Sequence, residues 1–220
     1  MKKWYTYIIY VSLFFLIVTL IQADYLKIPE IKNTQLLILS VLLLFIGVIL
    51  DALAWHKSLK IFGLNKHSFL SSLSSMGLSI FGKYIPGKIW TVIGRSSYMI
   101  NKYQYDKKTV NMISIIAQLI SLWVGIIIGS TIFLFIPQFG DWIFLISVMW
   151  IGLSLALFTN FFHLIIEYVL KTILKMNIDL QKLNTNEIIK IIPWYVLLWM
   201  VWCFSFYLLI YSQIDFYLPI

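Results

Sequence analysis

The chain has 220 residues, 61% of them hydrophobic and 12% charged, with a formal net charge of +8. Soluble domains carry about 25% charged residues, so water is not the main solvent of this one. The 17 Lys and Arg are scattered between apolar runs and are not gathered with aromatics on one face, which excludes a nucleic-acid platform and points to membrane topology. The single cysteine, Cys203, excludes an intrachain disulfide and, inside an apolar run, reads as a small buried hydrophobe.

Apolar runs occupy residues 4–22, 35–55, 109–135, 141–162 and 193–212. About 20 apolar residues in a helix cross the hydrocarbon core, and none of these runs alternates as barrel strands do. The expectation is an all-α, polytopic helical membrane protein with about five transmembrane helices, forming one domain over residues 1–220. Lys2 and Lys3 precede the first run, but no small-x-small cleavage site closes it, so it reads as a retained anchor.

Residues 68–95 break the pattern. The stretch from Ser68 to Ser79 sets serines and a glycine among apolar residues, a mix suited to close helix packing and ill suited to lipid. Pro86 then removes an amide donor and biases Ile85 away from helical angles, while Gly87 permits angles that other residues avoid. A re-entrant helical hairpin is predicted, and charge parity supports it. Lys and Arg are retained on the cytoplasmic side. If the segment enters and leaves by one face, 15 cations lie inside and only Lys27 and Lys32 outside; a single crossing would put 12 outside. The resulting topology is a cytoplasmic (inner) membrane protein with its N-terminus inside and C-terminus outside. A surface helix is expected over about 163–192, and interfacial anchors at Trp4, Tyr5, Trp55, Trp142, Trp194, Tyr195 and Tyr217.

Broken backbone at membrane depth marks binding sites in transporters. Here Lys83 and Lys88 flank the break, Arg95 follows, and a helix starts near Lys88, so an anion such as a lipid phosphate at the inner leaflet suits the segment. The competing reading of these cations is ordinary loop residues snorkelling to head groups. Asp51, near the cytoplasmic end of the second run, is placed to pair with Lys57 or with a hairpin cation. Gln118, Ser121 and Gly125 mark one packing face of the third run, where a polar side chain should meet protein. His56, His67 and His163 are far apart in sequence, so no metal site is expected, and no cofactor.

The run Gly82-Lys83-Tyr84-Ile85-Pro86-Gly87-Lys88-Ile89-Trp90, followed by Gly94-Arg95, resembles the hallmark of the lysylphosphatidylglycerol synthase transmembrane region, the flippase-like membrane domain family; the Ser-rich helix and Pro193 to Trp199 are similar to it more weakly. The resemblance implies a bundle with re-entrant helices that translocates, or assists translocation of, an anionic lipid, a phospholipid or a polyprenyl-linked glycan, in cell-envelope and polysaccharide biogenesis. By position it implies lipid or anion binding at Lys83, Tyr84, Pro86, Gly87, Lys88, Trp90, Gly94 and Arg95. It covers about the first two-thirds of such a domain, without the second Pro-Gly-rich segment and without a synthase domain. The implied partners are the lipid and the membrane, then envelope-biosynthesis proteins or a second copy of the chain. No covalent chemistry is expected. The alternatives are an integral-membrane transferase on a lipid phosphate, disfavoured by the lack of closely spaced cytoplasmic carboxylates, and a truncated, non-transporting assembly partner.

Overall fold

A computed structural model describes residues 14, 17, 18, 21, 30–82, 89–131, 140–159 and 185–213. The described elements are helices: α1 (Thr34–Ile61), α2 (Phe69–Gly82), α3 (Ile89–Tyr103), α4 (Lys107–Ser130), α5 (Gly140–Phe158) and α6 (Thr185–Tyr211). Three of them, α1, α4 and α6, are long and apolar enough to cross a membrane, while α5 presents a shorter apolar stretch. Of the first run, Phe14, Ile17, Val18 and Ile21 are helical. The rest of it, and residues 160–184 of the expected surface helix, lie outside the described residues.

α1 and α6 pack along one another in opposite directions. Lys57 lies 5.2 Å over the Trp194 ring at one end. At the other end the amides of Lys32 and Asn33 donate to the Ser212 carbonyl at 2.9 and 3.0 Å. Midway, Ser40 and Ser205 exchange hydrogen bonds, each hydroxyl donating to the other's carbonyl at 2.8 Å. These pairings satisfy polar groups that hydrocarbon would leave stranded. Gly47 of α1 lies against Trp202 and Gly125 of α4 against Trp199, so two missing side chains make room for two indoles.

α2 and α3 form an antiparallel pair. Ser71 meets Tyr103 and Lys102, while Gly94 approaches the backbone of Ser79 and Leu78. With 14 and 15 residues, these helices are about 21 and 22 Å long, short of the roughly 30 Å hydrocarbon thickness. The loops on either side of the pair are tied together, because His67 Nδ1 and the Tyr105 hydroxyl lie 3.2 Å apart. The C-terminus of α1 and the N-terminus of α4 therefore share one end of the bundle, which also collects Lys57, Lys60, Lys66, Lys102, Lys107, Lys108 and Lys190. Among the described residues, Lys32 stands at the opposite end.

The helix boundaries follow local chemistry. α1 ends in a left-handed Gly63 (φ 82°), with the Leu64 amide reaching back to the Leu59 carbonyl at 2.9 Å. α4 begins with Asp106, whose carboxylate accepts from the Thr109 amide and hydroxyl, both at 2.8 Å.

Several expectations are corrected. α1 continues through His56 to Ile61 and does not stop at Trp55. α6 starts at Thr185, so 185–192 belongs to it and not to a surface helix. Pro193 is carried inside, where buried Ile188, Ile191 and Tyr195 on both sides of it hold the turns together despite the lost backbone bond. Trp55 and Tyr195 are core residues, 0% and 1% exposed, and not interfacial anchors; Trp142 is exposed as expected. Cys203 is exposed, since it lies on the apolar outer face of α6 beside Phe204, Phe206 and Tyr207, where a thiol costs little against hydrocarbon.

The buried core of Trp55, Leu59, Met99, Ile113, Ile116, Ile120, Ile188, Ile191 and Leu198 lies toward the lysine-bearing end. Away from it, α1 exposes Ile38, Leu42, Phe45 and Ile49, and α5 exposes Phe144, Val148 and Ile151, a surface that matches hydrocarbon and not water. A Cβ at Gly125 would lie 2.4 Å from the Trp199 ring, whose Nε1 donates to the Ser121 carbonyl at 2.8 Å. Gly125→Ala should therefore lower stability by about 1–3 kcal/mol, read as a lower unfolding midpoint in detergent. Gly129→Ala, with nothing within 4 Å of the added methyl, should leave it unchanged or slightly raised.

Candidate functional site

A cavity of about 490 Å³ lies where α1, α2, α3, α4 and α6 meet. Arg95 of α3 reaches it although only 4% exposed. Its Nε donates to the Ser114 hydroxyl of α4 at 2.7 Å, and its Nη2 donates to the Ser114 carbonyl. The Ser114 hydroxyl donates in turn to the Val92 carbonyl at 3.0 Å, so one serine closes a loop between α3 and α4. The guanidinium carbon stands 4.7 Å over the Trp55 ring of α1, and Nη1 meets the Met76 sulfur of α2 at 4.0 Å. Arg suits this place because its planar fork bonds two acceptors at once and stacks on an aromatic face.

Asp51 of α1, Gln118 and Ser121 of α4, and Tyr195 of α6 line the same cavity. The Asp51 charge is felt by both Arg95 and Tyr195. Of the two partners open to Asp51 in the sequence, the hairpin cation is the one that shares its cavity. Tyr195 is buried, and its hydroxyl has no hydrogen-bond partner; the nearby Ser58 hydroxyl is turned to the Ala54 carbonyl at 2.8 Å.

From α2, Met76 and Ser79 line the cavity, and Ser79 belongs to a buried serine face. Ser71, Ser72, Ser75 and Ser79 are all buried. Trp55 Nε1 donates to Ser75 at 3.0 Å, and Ser72 lies 3.1 Å from His56 Nδ1. These bonds hold the indole ring that Arg95 stacks on. A Cβ at Gly94 would lie 3.6 Å from the Ser79 backbone, an ordinary contact, so α3 passes close to α2 here without requiring a glycine.

Among the residues expected to carry the site, Arg95, Asp51 and Gln118 are brought together. The reading of Arg95 as a snorkelling loop residue is overturned by its burial. Trp90 lies in α3. Lys83, Tyr84, Pro86, Gly87 and Lys88 lie outside the described residues. Sequence reasoning missed Ser114, Met76 and Tyr195 as site residues; Tyr195 was read as an interfacial anchor because it stands at the start of an apolar run.

A second cluster lies at the lysine-bearing end. His56 and His67 place their ring centroids 4.8 Å apart, edge to face, beside the stacked Tyr103 and Tyr105 rings at 5.6 Å. No group of three metal-ligating side chains occurs among the described residues. Burial, reinforced by repulsion from His56 and Lys60, holds the His67 imidazole down to about 4. The folded chain thus resists a proton that the unfolded chain accepts near 6.5, and stability is full above that value and declines as pH falls toward 4. The unfolding temperature should fall over this window in the wild type, and His67→Gln should flatten that part of the profile.

Comparison with protein-family models, curated proteins and solved structures finds no match to this chain, so its functional reading rests on the cavity and the residues around it.

Proposed function

We propose that this chain is a polytopic protein of the cytoplasmic membrane that holds the anionic head group of a lipid at Arg95 and moves it, or assists its movement, between leaflets. The observation that carries the reading is a buried guanidinium at the wall of a cavity between helices that are apolar outside. A guanidinium fixed at the cavity wall, with Asp51 as its formal counter-charge, can take an anionic head group in exchange for that charge, and the outward faces of α1 and α5 suit acyl chains. A phospholipid or a polyprenyl-linked glycan offers both parts in one molecule. The resemblance of residues 82–95 to flippase-like membrane domains points the same way.

In this reading five helices cross the membrane, and the short α2–α3 pair enters and leaves by the cytoplasmic face. The gathering of seven described lysines at the end shared by α1, α3, α4 and α6 supports that orientation. Arg95 holds the phosphate. Tyr195 and Gln118 line the same cavity, and the resemblance adds Lys83, Tyr84, Pro86, Gly87, Lys88 and Trp90 to the residues that recognise the lipid. The work is binding and reorientation, with no bond made or broken.

The test is a leaflet-resolved assay in vesicles that follows a fluorescent phosphatidylglycerol. Tyr195→Phe keeps the ring and removes only the hydroxyl, so stability should shift little while translocation falls about 5- to 10-fold, the equivalent of one lost hydrogen bond of roughly 1–1.5 kcal/mol. Arg95→Gln should abolish transport, whereas Lys108→Gln should not. Full translocation by a folded Arg95→Gln protein would sink the assignment.

A further inference from the structure

The cavity is electrically balanced before any anion enters. Arg95 supplies one positive charge and Asp51 one negative charge. The other linings add none: α2 contributes Met76 and Ser79, α4 contributes Gln118 and Ser121, and Tyr195 of α6 is a neutral phenol. Lys57, farther along α1, is turned over Trp194. A phosphodiester that reaches Arg95 brings a second negative charge into surroundings of low dielectric, where an unbalanced charge is expensive. Among the described residues, no further cation lines this cavity to offset it beside Arg95. A proton on Asp51 would.

We infer that Asp51 is a proton-coupling residue: anion binding at Arg95 displaces the Asp51 carboxylate as its counter-ion, and Asp51 takes one proton from water as the anion enters. This rests on the reading above that Arg95 holds a lipid head group. The arrangement balances at each stage, with one cation and one carboxylate when empty, and one cation, one phosphodiester and one carboxylic acid when filled. When the anion leaves, Asp51 returns its proton and pairs with Arg95 again. Head group and proton therefore travel together, and a proton gradient can drive or oppose the movement.

Titration calorimetry on the full chain in detergent, with dihexanoyl phosphatidylglycerol as the probe, tests this directly. The diester does not titrate between pH 6.5 and 8.5, and His67 is neutral there. Repeating the titration in buffers of different ionisation enthalpy counts protons. The wild type should take up close to one proton per lipid, and its affinity should weaken by up to about tenfold per pH unit as pH rises. Asp51→Asn should bind the lipid with no proton uptake and no pH slope, and Asp51→Glu should restore both. Binding by the wild type without proton uptake overturns the coupling and leaves the lipid site standing, as does uptake that persists in Asp51→Asn. Absence of binding at every pH overturns the lipid site itself. Equal affinity for the acyl-free diester glycerophosphoglycerol reassigns the site to a free anion. The wild-type proton count decides the matter even if the Asp51→Asn protein does not fold.

Discussion

The placement of one guanidinium, Arg95, is the constraint on which the rest of the structure depends. To bury a cation where helices meet, the protein must give it acceptors, an aromatic face and a counter-charge, and here the acceptors come from α4 while the aromatic face and the counter-charge come from α1. Ser114 of α4 takes two of its bonds, Trp55 of α1 lies under its plane, Met76 of α2 touches it, and Asp51 of α1 acts on it from across the cavity. Supporting bonds then propagate outward. Trp55 is fixed by Ser75, and the Ser72 neighbour of Ser75 meets His56. The serines that make α2 unfit for lipid are the ones that hold the platform for the cation.

The α2–α3 pair explains how a charge reaches this position. Two short helices, packed antiparallel and tied at one end by His67 and Tyr105, carry Arg95 to the place where α1, α2, α4 and α6 meet. Among the described residues of the pair, Lys102 stays at that end while the arginine lies inside. Lys102 shows the contrast on the same helix: it rests on Tyr98 and Tyr103, with its ammonium 3.0 Å from the Tyr98 hydroxyl. A compact, strongly hydrated ammonium remains near the end of the helix, and the weakly hydrated guanidinium occupies the interior.

Much of this was legible in the sequence because hydrocarbon imposes simple rules. The apolar runs located α1, α4, α5 and α6, and the serines with Pro86 and Gly87 separated α2 and α3 from the ordinary spans. Ser121 and Gly125 were readable as a packing face because small residues four apart leave room for a bulky neighbour, here Trp199. What escaped notice depends on contacts distant in sequence. Tyr195 and Trp55 look like interfacial anchors from position alone, and only the closure of α6 on α1 and α4 buries them. The pairing of His56 with His67 escaped for the same reason, since their separation along the chain gives no hint that Gly63 turns one back on the other. Pro193 misled because a proline usually closes or opens a helix, and here packing on either side outweighs the missing bond.

The reciprocal bonds between Ser40 and Ser205 bear on how the chain is assembled. These residues are 165 positions apart, in the first and last of the three described helices that are long and apolar enough to cross a membrane. During synthesis α1 enters the bilayer with its Ser40 hydroxyl and the notch at Gly47 unfilled, and both wait until α6 delivers Ser205 and Trp202. Helices in lipid form first and associate afterwards. Of the described helices α6 emerges last and locks α1, so the cavity between them closes only once α6 is in place.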